Sequence, residues 1–276
     1  MTGRTTIEAA LAAIGKAGDD AIDIAGTALL LAALDRPGRS LDAYRSHLGE
    51  LGKAVASSCG AASDAAAQIA GLTDAIHRRF GYGGDQDTYD DMANANLMDV
   101  IDRRKGLPVA LGILYLHAAR AAGLKMMGLN FPGNFLLRLD VGNARLVLDP
   151  FRNGEVMDPS ELRGLLKRVA GPDAELEPDH YRPVSARDVL LRLQNNIKTR
   201  AIAAKNPDRA AEVLRSMLLI APGNAAAWRE LGVVETHRGN LQSALDAFQS
   251  CLAMAPDEAS RREAAGLVAR LKQRLN

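Results

Sequence analysis

The chain has 276 residues, 47% hydrophobic and 24% charged, the proportions of a folded protein rather than a disordered one. Lysine plus arginine total 34 against 33 acidic residues, so the net charge of +1 gives no electrostatic case for nucleic acid or an anionic membrane as a partner. Two cysteines, Cys59 and Cys251, stand outside any CxxC pair, which argues against a disulfide framework and for a reducing, cytoplasmic setting.

The segment from Met1 to Glu8 lacks the basic region and apolar run of a secretory signal. The longest apolar stretch, Ala25 to Leu34, is far short of the ~20 residues that cross a bilayer. Residues 1–80 read as an N-terminal helical region. Ile7, Leu11 and Ile14 recur at helical spacing, as do Ile22, Leu29, Leu30 and Leu34. Pro37-Gly38 ends that second helix, and Ser40 can cap a third on which Leu41, Tyr44, Leu48 and Leu51 form one face. An alanine-rich helix is expected from about Asp64 to Phe80.

Residues 81–183 change texture and read as a core packed with those helices as one domain. Gly81 to Asp85 is a loop that lacks the Lys-Ser/Thr of a P-loop and follows no strand, so it reads as a turn. Asp85, Asp87, Asp90 and Asp91 do not have the spacing of a calcium loop, and read as a solvated acidic loop with no metal. Leu97, Val100 and Ile101 make a short helix that stops at Gly106. Pro108 opens another that runs to Ala122 and ends at Gly123. Strands are expected over Met126 to Phe131, Phe135 to Asp140 and Arg145 to Leu148, with Gly142-Asn143 as a tight hairpin. Asp158-Pro159-Ser160-Glu161 starts a helix with a capping box.

Residues 184–276 are helical and repeat. Ala210 and Ala244, Leu214 and Phe248, and Pro222 and Pro256 are each 34 apart, as the subtractions 244 − 210, 248 − 214 and 256 − 222 show. The unit Trp228, Leu231-Gly232, Ala244, Phe248, Pro256 resembles the tetratricopeptide signature. Small residues sit where two helices of a hairpin touch, and large ones fill the gap to the next hairpin. The preceding unit is weaker, with Gln194 in place of Trp228 and Lys198 in place of Gly232.

Three further motifs occur in order: Asn96 to Pro108 (NLMDVIDRRKGLP), Asn130 to Leu136 (NFPGNFL), and Leu148-Asp149-Pro150-Phe151. Together with the repeats, they resemble the SirB1-type bacterial proteins, which join a transglutaminase-like core to C-terminal tetratricopeptide hairpins. The resemblance implies an α+β, predominantly helical fold with a small antiparallel sheet in that core. In catalytic members of the superfamily, a cysteine opens a helix, a histidine follows at a strand, and an acid lies on the next strand. The helix N-terminus favours the thiolate, the imidazole takes its proton, and the carboxylate orients the imidazole. The corresponding positions here are Pro108, Asn134 and Asp149. The segment Leu107 to Leu111 contains no thiol or hydroxyl, and SirB1-type proteins usually carry histidine where Asn134 stands. An amide cannot act as a general base, so only the acid remains.

No other group substitutes at those points. His117 is about 13 Å along its helix from Pro108, and His47, His77, His180 and His237 belong to no matching motif. Cys59 and Cys251 read as buried or idle thiols. The sequence therefore predicts a non-catalytic interaction or regulatory protein without a cofactor, with a protein or peptide partner and self-association left open. If the hairpins form a free groove, Arg192, Asn195 and Thr199 line it from one hairpin and Arg229, Val233 and Thr236 from the next. The hairpins could instead simply pack on the core. Two alternatives stand beside this reading. One is a hydrolase or transferase whose cleft is re-equipped with Asp149 and Asp90 or Asp91. The other is a structural subunit of a larger assembly.

Overall fold

The computed structural model describes residues 3–60 and 64–275; Met1, Thr2 and Asn276, at the ends of the expected helical regions, lie outside them. Among the described residues, the predominantly helical α+β architecture expected from the sequence is present as twelve α-helices and six short strands. They form two compact units, one built on Asp19–Leu193 and the other on Arg4–Gly18 with Gln194–Asn276.

This division differs from the sequence grouping at the first helix. Helix α1 (Arg4–Lys16) buries Ile7 and Leu11 as its periodicity predicts, yet it belongs to the second unit. Gly15 makes this packing close: a Cβ there would lie 2.2 Å from the carbonyl oxygen of Leu219. An amphipathic stripe states that a face is buried, not which neighbour covers it.

In the first unit, α2 (Ile24–Asp35) is apolar nearly all round and correspondingly buried, with Asp23 capping it through the Gly26 N–H at 3.1 Å. Helix α3 (Asp42–Cys59) follows, then α4 (Ala65–Thr73), which runs into a π-helical turn at Asp74–Arg79. Strand β1 (Gly83–Gly84) pairs in parallel with β2 (Lys105–Gly106), and α5 (Leu97–Arg103) lies between them in sequence. Helix α6 (Pro108–Ala121) is the central element; Val109, Ala110, Leu111, Ile113, Leu114 and Tyr115 are all buried on it.

A four-stranded antiparallel sheet takes the order β3 (Lys125–Gly128), β4 (Leu137–Val141), β5 (Ala144–Asp149), β6 (Glu155–Val156). Gly142-Asn143 makes the expected hairpin: Val141 faces Ala144, and Gly142 takes φ +56°, which a glycine tolerates without strain. The strands begin and end differently from the expectation. Residues 129–131 leave the sheet because the Asn130 N–H donates to Arg182 O at 2.9 Å and Leu129 bridges to Pro183. The Pro132-Gly133 bend delays β4 to Leu137, with Gly133 at φ +71°. Helix α7 (Pro159–Ala170) has the predicted Asp158–Glu161 capping box. It closes a core of Leu129, Phe131, Leu136, Val147, Met157, Leu162, Leu165 and Leu166.

The second unit contains α1, the end of α8 (Ala186–Ala203), α9 (Pro207–Ile220), α10 (Ala225–His237), α11 (Leu241–Ala253) and α12 (Glu258–Leu275). Helices α10 and α11 form the strong hairpin. Gly232 is small because the Phe248 ring lies against it, with a Cβ meeting the ring at 2.4 Å. In the weaker hairpin, Lys198 at the equivalent position is buried and ion-paired to Glu230. The 34-residue register continues into α12, where Gly266 matches Gly232 (266 − 232 = 34). A Cβ on Gly266 would meet nothing within 4 Å.

Candidate functional site

The three positions that the family resemblance sets against a catalytic triad are built as follows. Helix α6 opens with Leu107 at the cap, making no side-chain hydrogen bond, and Pro108 at the first helical position. The side chains of this first turn can neither ionise nor donate a proton. One turn on, the Phe135 ring lies against Gly112, where a Cβ would come within 2.2 Å of it. The bend just before Phe135 lies against α7, where a Cβ on Gly133 would come within 2.5 Å of Val169, and the Asn134 N–H closes a tight turn onto Pro132 O at 2.8 Å. Asp149, only 8% exposed at the end of β5, accepts the Phe151 N–H at 2.9 Å. Burial holds its carboxyl above the usual carboxylate range, against the pull of backbone hydrogen bonds from Phe151 and Arg152. Asp149 thus fastens the turn into β6.

Near Asp149 runs a partly buried polar chain that motif reading missed. Burial and then the charge of Asp149 push up the Tyr115 phenol. The Tyr115 hydroxyl hydrogen-bonds His77 Nε2, and His77 Nδ1 meets Tyr82 O. The Tyr82 hydroxyl lies 2.7 Å from His47 Nε2 and accepts from Arg104 Nη1 at 2.6 Å. The Arg104 guanidinium stands 4.9 Å over the Tyr82 ring, reached from a left-handed backbone at φ 60°. Burial pushes the Tyr82 phenol up to about 12 and both imidazoles down, His47 further through the charge of Arg104. A neutral His47 suits its role as acceptor. The histidines carry no spacing signal because their side-chain partners, Tyr115 for His77 and Tyr82 for His47, are 38 and 35 residues away. The π turn that holds His77 has no signature in the apolar pattern.

A cavity of about 760 Å³ adjoins this chain, lined by Thr73, Gly83, Gly84 and the Phe151–Val156 turn. The Tyr115 hydroxyl lies directly behind Gly154, where a Cβ would sit 2.3 Å from it.

The Asn96 to Pro108 motif proves to be a junction. Asn96 caps α5 through the Met98 and Asp99 N–H groups and donates to Ala32 O at 3.2 Å. Asp99 pairs with Arg36, Arg103 with Asp85 at 2.9 Å, and Lys105 with Asp87 at 3.1 Å. Gly106 pairs with Gly84 in the parallel strands. The acidic loop is therefore partly neutralised, and Asp85 is buried rather than solvated. Hydrogen bonds from Thr88 hold the Asp85 carboxyl down to about 2. Asp91 accepts the Ala93 N–H at 2.9 Å and lies 3.7 Å from Arg103. Among the described residues, no cluster of three or more histidine, cysteine or acidic groups could hold a metal ion. Tyr89 packs edge-on to Phe151, with ring centroids 5.6 Å apart, setting the loop beside the Asp149 turn. Cys59 and Cys251 are buried, and burial pushes both thiols up. His117 Nε2 is 3.1 Å from Leu48 O.

The residues expected in a helical groove are divided. Arg192 belongs to the first unit, where its guanidinium donates to Phe131 O at 3.3 Å and stands 5.7 Å over the Phe135 ring. The boundary between the two units falls one residue later, within α8. Asn195 and Thr199 are exposed on the second unit. Arg229 pairs with Glu263, its equivalent 34 residues on. Val233 and Thr236 line a cavity of about 260 Å³ whose other wall is α12. The sequence reading did not include that wall.

Comparison with known proteins follows the same division. A model of the transglutaminase-like superfamily matches residues 42–195, and a tetratricopeptide repeat model matches residues 197–273. A UPF0162 protein of Xylella fastidiosa is 29% identical over 241 residues, covering 86% of each chain. One from Vibrio cholerae is 27% identical over 240 residues, covering 87% of this chain and 88% of its own. One from Pseudomonas aeruginosa is 30% identical over 225 residues, covering 79% and 82% respectively. The chain therefore belongs to the transglutaminase-like superfamily and to the UPF0162 family, and carries C-terminal tetratricopeptide repeats.

Proposed function

We propose that this protein is a non-catalytic, cytoplasmic interaction or regulatory protein. In this reading, the transglutaminase-like unit serves as a scaffold and the tetratricopeptide unit binds a protein partner. The observation that carries it is the start of α6, where Leu107, Pro108 and Val109 occupy the place of a nucleophile. The amide of Asn134 and the backbone-bound Asp149 add no proton-transfer pair. Incubation of the full-length protein with a glutaminyl peptide plus hydroxylamine, and with peptide amides and esters, tests this directly. No turnover above buffer is expected. Turnover abolished by Asp149→Asn would overturn the reading.

A second reading has one observation in its favour. Tyr115 hydrogen-bonds His77 behind Gly154 of the larger cavity, and the charge of Asp149 acts on the phenol. A re-equipped cleft would use these groups, rather than Asp90 or Asp91. Turnover that falls in Tyr115→Phe and His77→Gln would favour it.

A further inference from the structure

The 34-residue register arranges the groove of the second unit in tiers. Thr199, Val233 and Leu267 form one tier, and Ile202, Thr236 and Arg270 the next (236 − 202 and 270 − 236 are both 34). Asn240 and Arg274 are equivalent one tier further on. Helix α12 thus serves as the first helix of a third repeat, and the Arg229–Glu263 pair joins equivalent positions of α10 and α12. Ile202 and Val233 are 51% and 37% exposed, so these tiers keep aliphatic side chains at the surface. The cavity between α10 and α12 is walled by Val233, Phe248, Leu267 and Leu271, with Arg270 and Arg274 at its edge.

Those two arginines lie one helical turn apart, about 6 Å, so their like charges repel. Neither forms an ion pair among the described residues. Two turns before Arg270 on α12, Glu263 is engaged with Arg229. A favourable helix dipole explains cations near the end of α12, but not why they border an apolar cavity. An anion carrying an apolar side chain answers both features at once. Two cations beside an apolar cavity make a poor electrostatic footprint for a nucleic acid, which needs a run of phosphate contacts.

We propose that the groove between α10 and α12 docks an acidic amphipathic helix of a partner protein, placing an apolar side chain in the cavity and carboxylates on Arg270 and Arg274. The inference rests on the interaction reading above and names the chemistry of the partner. Glutamates one turn apart on the incoming helix match the spacing of the two arginines, and apolar anchors at the same spacing face the cavity.

The test uses full-length protein and a fluorescein-labelled amphipathic peptide of about 16 residues, long enough to form a helix. It carries Phe and Leu one turn apart, flanked by glutamates. Saturable binding by anisotropy that weakens with added salt is expected. Arg270→Glu/Arg274→Glu should weaken it about tenfold or more with an unchanged circular dichroism spectrum, since both side chains are exposed. Replacing the peptide's Phe and Leu by Ala should abolish binding. Equal binding of a lysine-substituted peptide, an unaffected double variant, or no saturable binding would overturn the proposal. So would self-association lost in the double variant, which would make a second copy the occupant. Binding of the lysine peptide lost in Val233→Asp would leave the interaction reading standing while this one falls, and the turnover assays are independent of all these outcomes.

Discussion

Replacing Glu235 by alanine should destabilise the tetratricopeptide unit by about 2 to 3 kcal/mol. Glu235 is fully buried on α10, yet it carries a carboxylate. Arg215 of α9 and Arg238 at the end of α10 pair with it, and Asn240 at the entry to α11 donates to it at 2.8 Å. One side chain therefore ties three helices together. Removing one partner of a buried ion pair typically costs about 3 to 5 kcal/mol, because a charge is left dry. Here the arginines are 48% and 21% exposed and can rehydrate, which lowers the figure. Glu235→Gln keeps the shape and one acceptor, so about 1 kcal/mol is expected. The chain has one tryptophan, Trp228 on α10, so its fluorescence during urea unfolding reports this unit. A loss below about 0.5 kcal/mol for the alanine variant would refute the reasoning, because the pairs would then hold nothing together.

Two equivalent glycines should respond with opposite signs. Gly232→Ala drives a Cβ into the Phe248 ring and should cost about 1 to 3 kcal/mol, whereas Gly266→Ala meets open space and should gain up to about 1 kcal/mol of helix propensity, both read by the same urea titration. For Asp85, the depressed folded pKa means its stabilisation is present above 3.8 and lost as pH falls toward about 2. Asp85→Asn should accordingly cost about 1 to 2 kcal/mol at pH 7 and almost nothing at pH 2, measured by unfolding at both pH values. For Asp149 the sign reverses: its raised folded pKa means the favourable contribution is present below 3.8 and lost as pH rises through the folded value. Asp149→Asn should then be at least as stable as wild type at pH 7 in thermal melts, with the advantage lost at pH 3; the opposite order would show that the carboxylate's hydrogen bonds outweigh its burial.

Much of this protein is written locally. The Asp158–Glu161 capping box, the Gly142-Asn143 hairpin and Pro108 at the head of α6 depend on residues within a few positions of one another, and all three appear where the chain predicts them. The 34-residue register, and the absence of a thiol or hydroxyl from Leu107 to Leu111, are likewise matters of residue identity at fixed spacing. What the tertiary structure alone decided involves partners far apart in sequence. Helix α1 packs on α9, and Arg192 donates to Phe131 O, 61 residues away. His77 meets Tyr115, 38 residues away, and Arg104 meets His47, 57 away. Periodicity shows that a face must be buried, and composition shows that a polar group needs a partner. Neither specifies the partner, because that choice is made by packing among elements whose separation along the chain leaves no local trace.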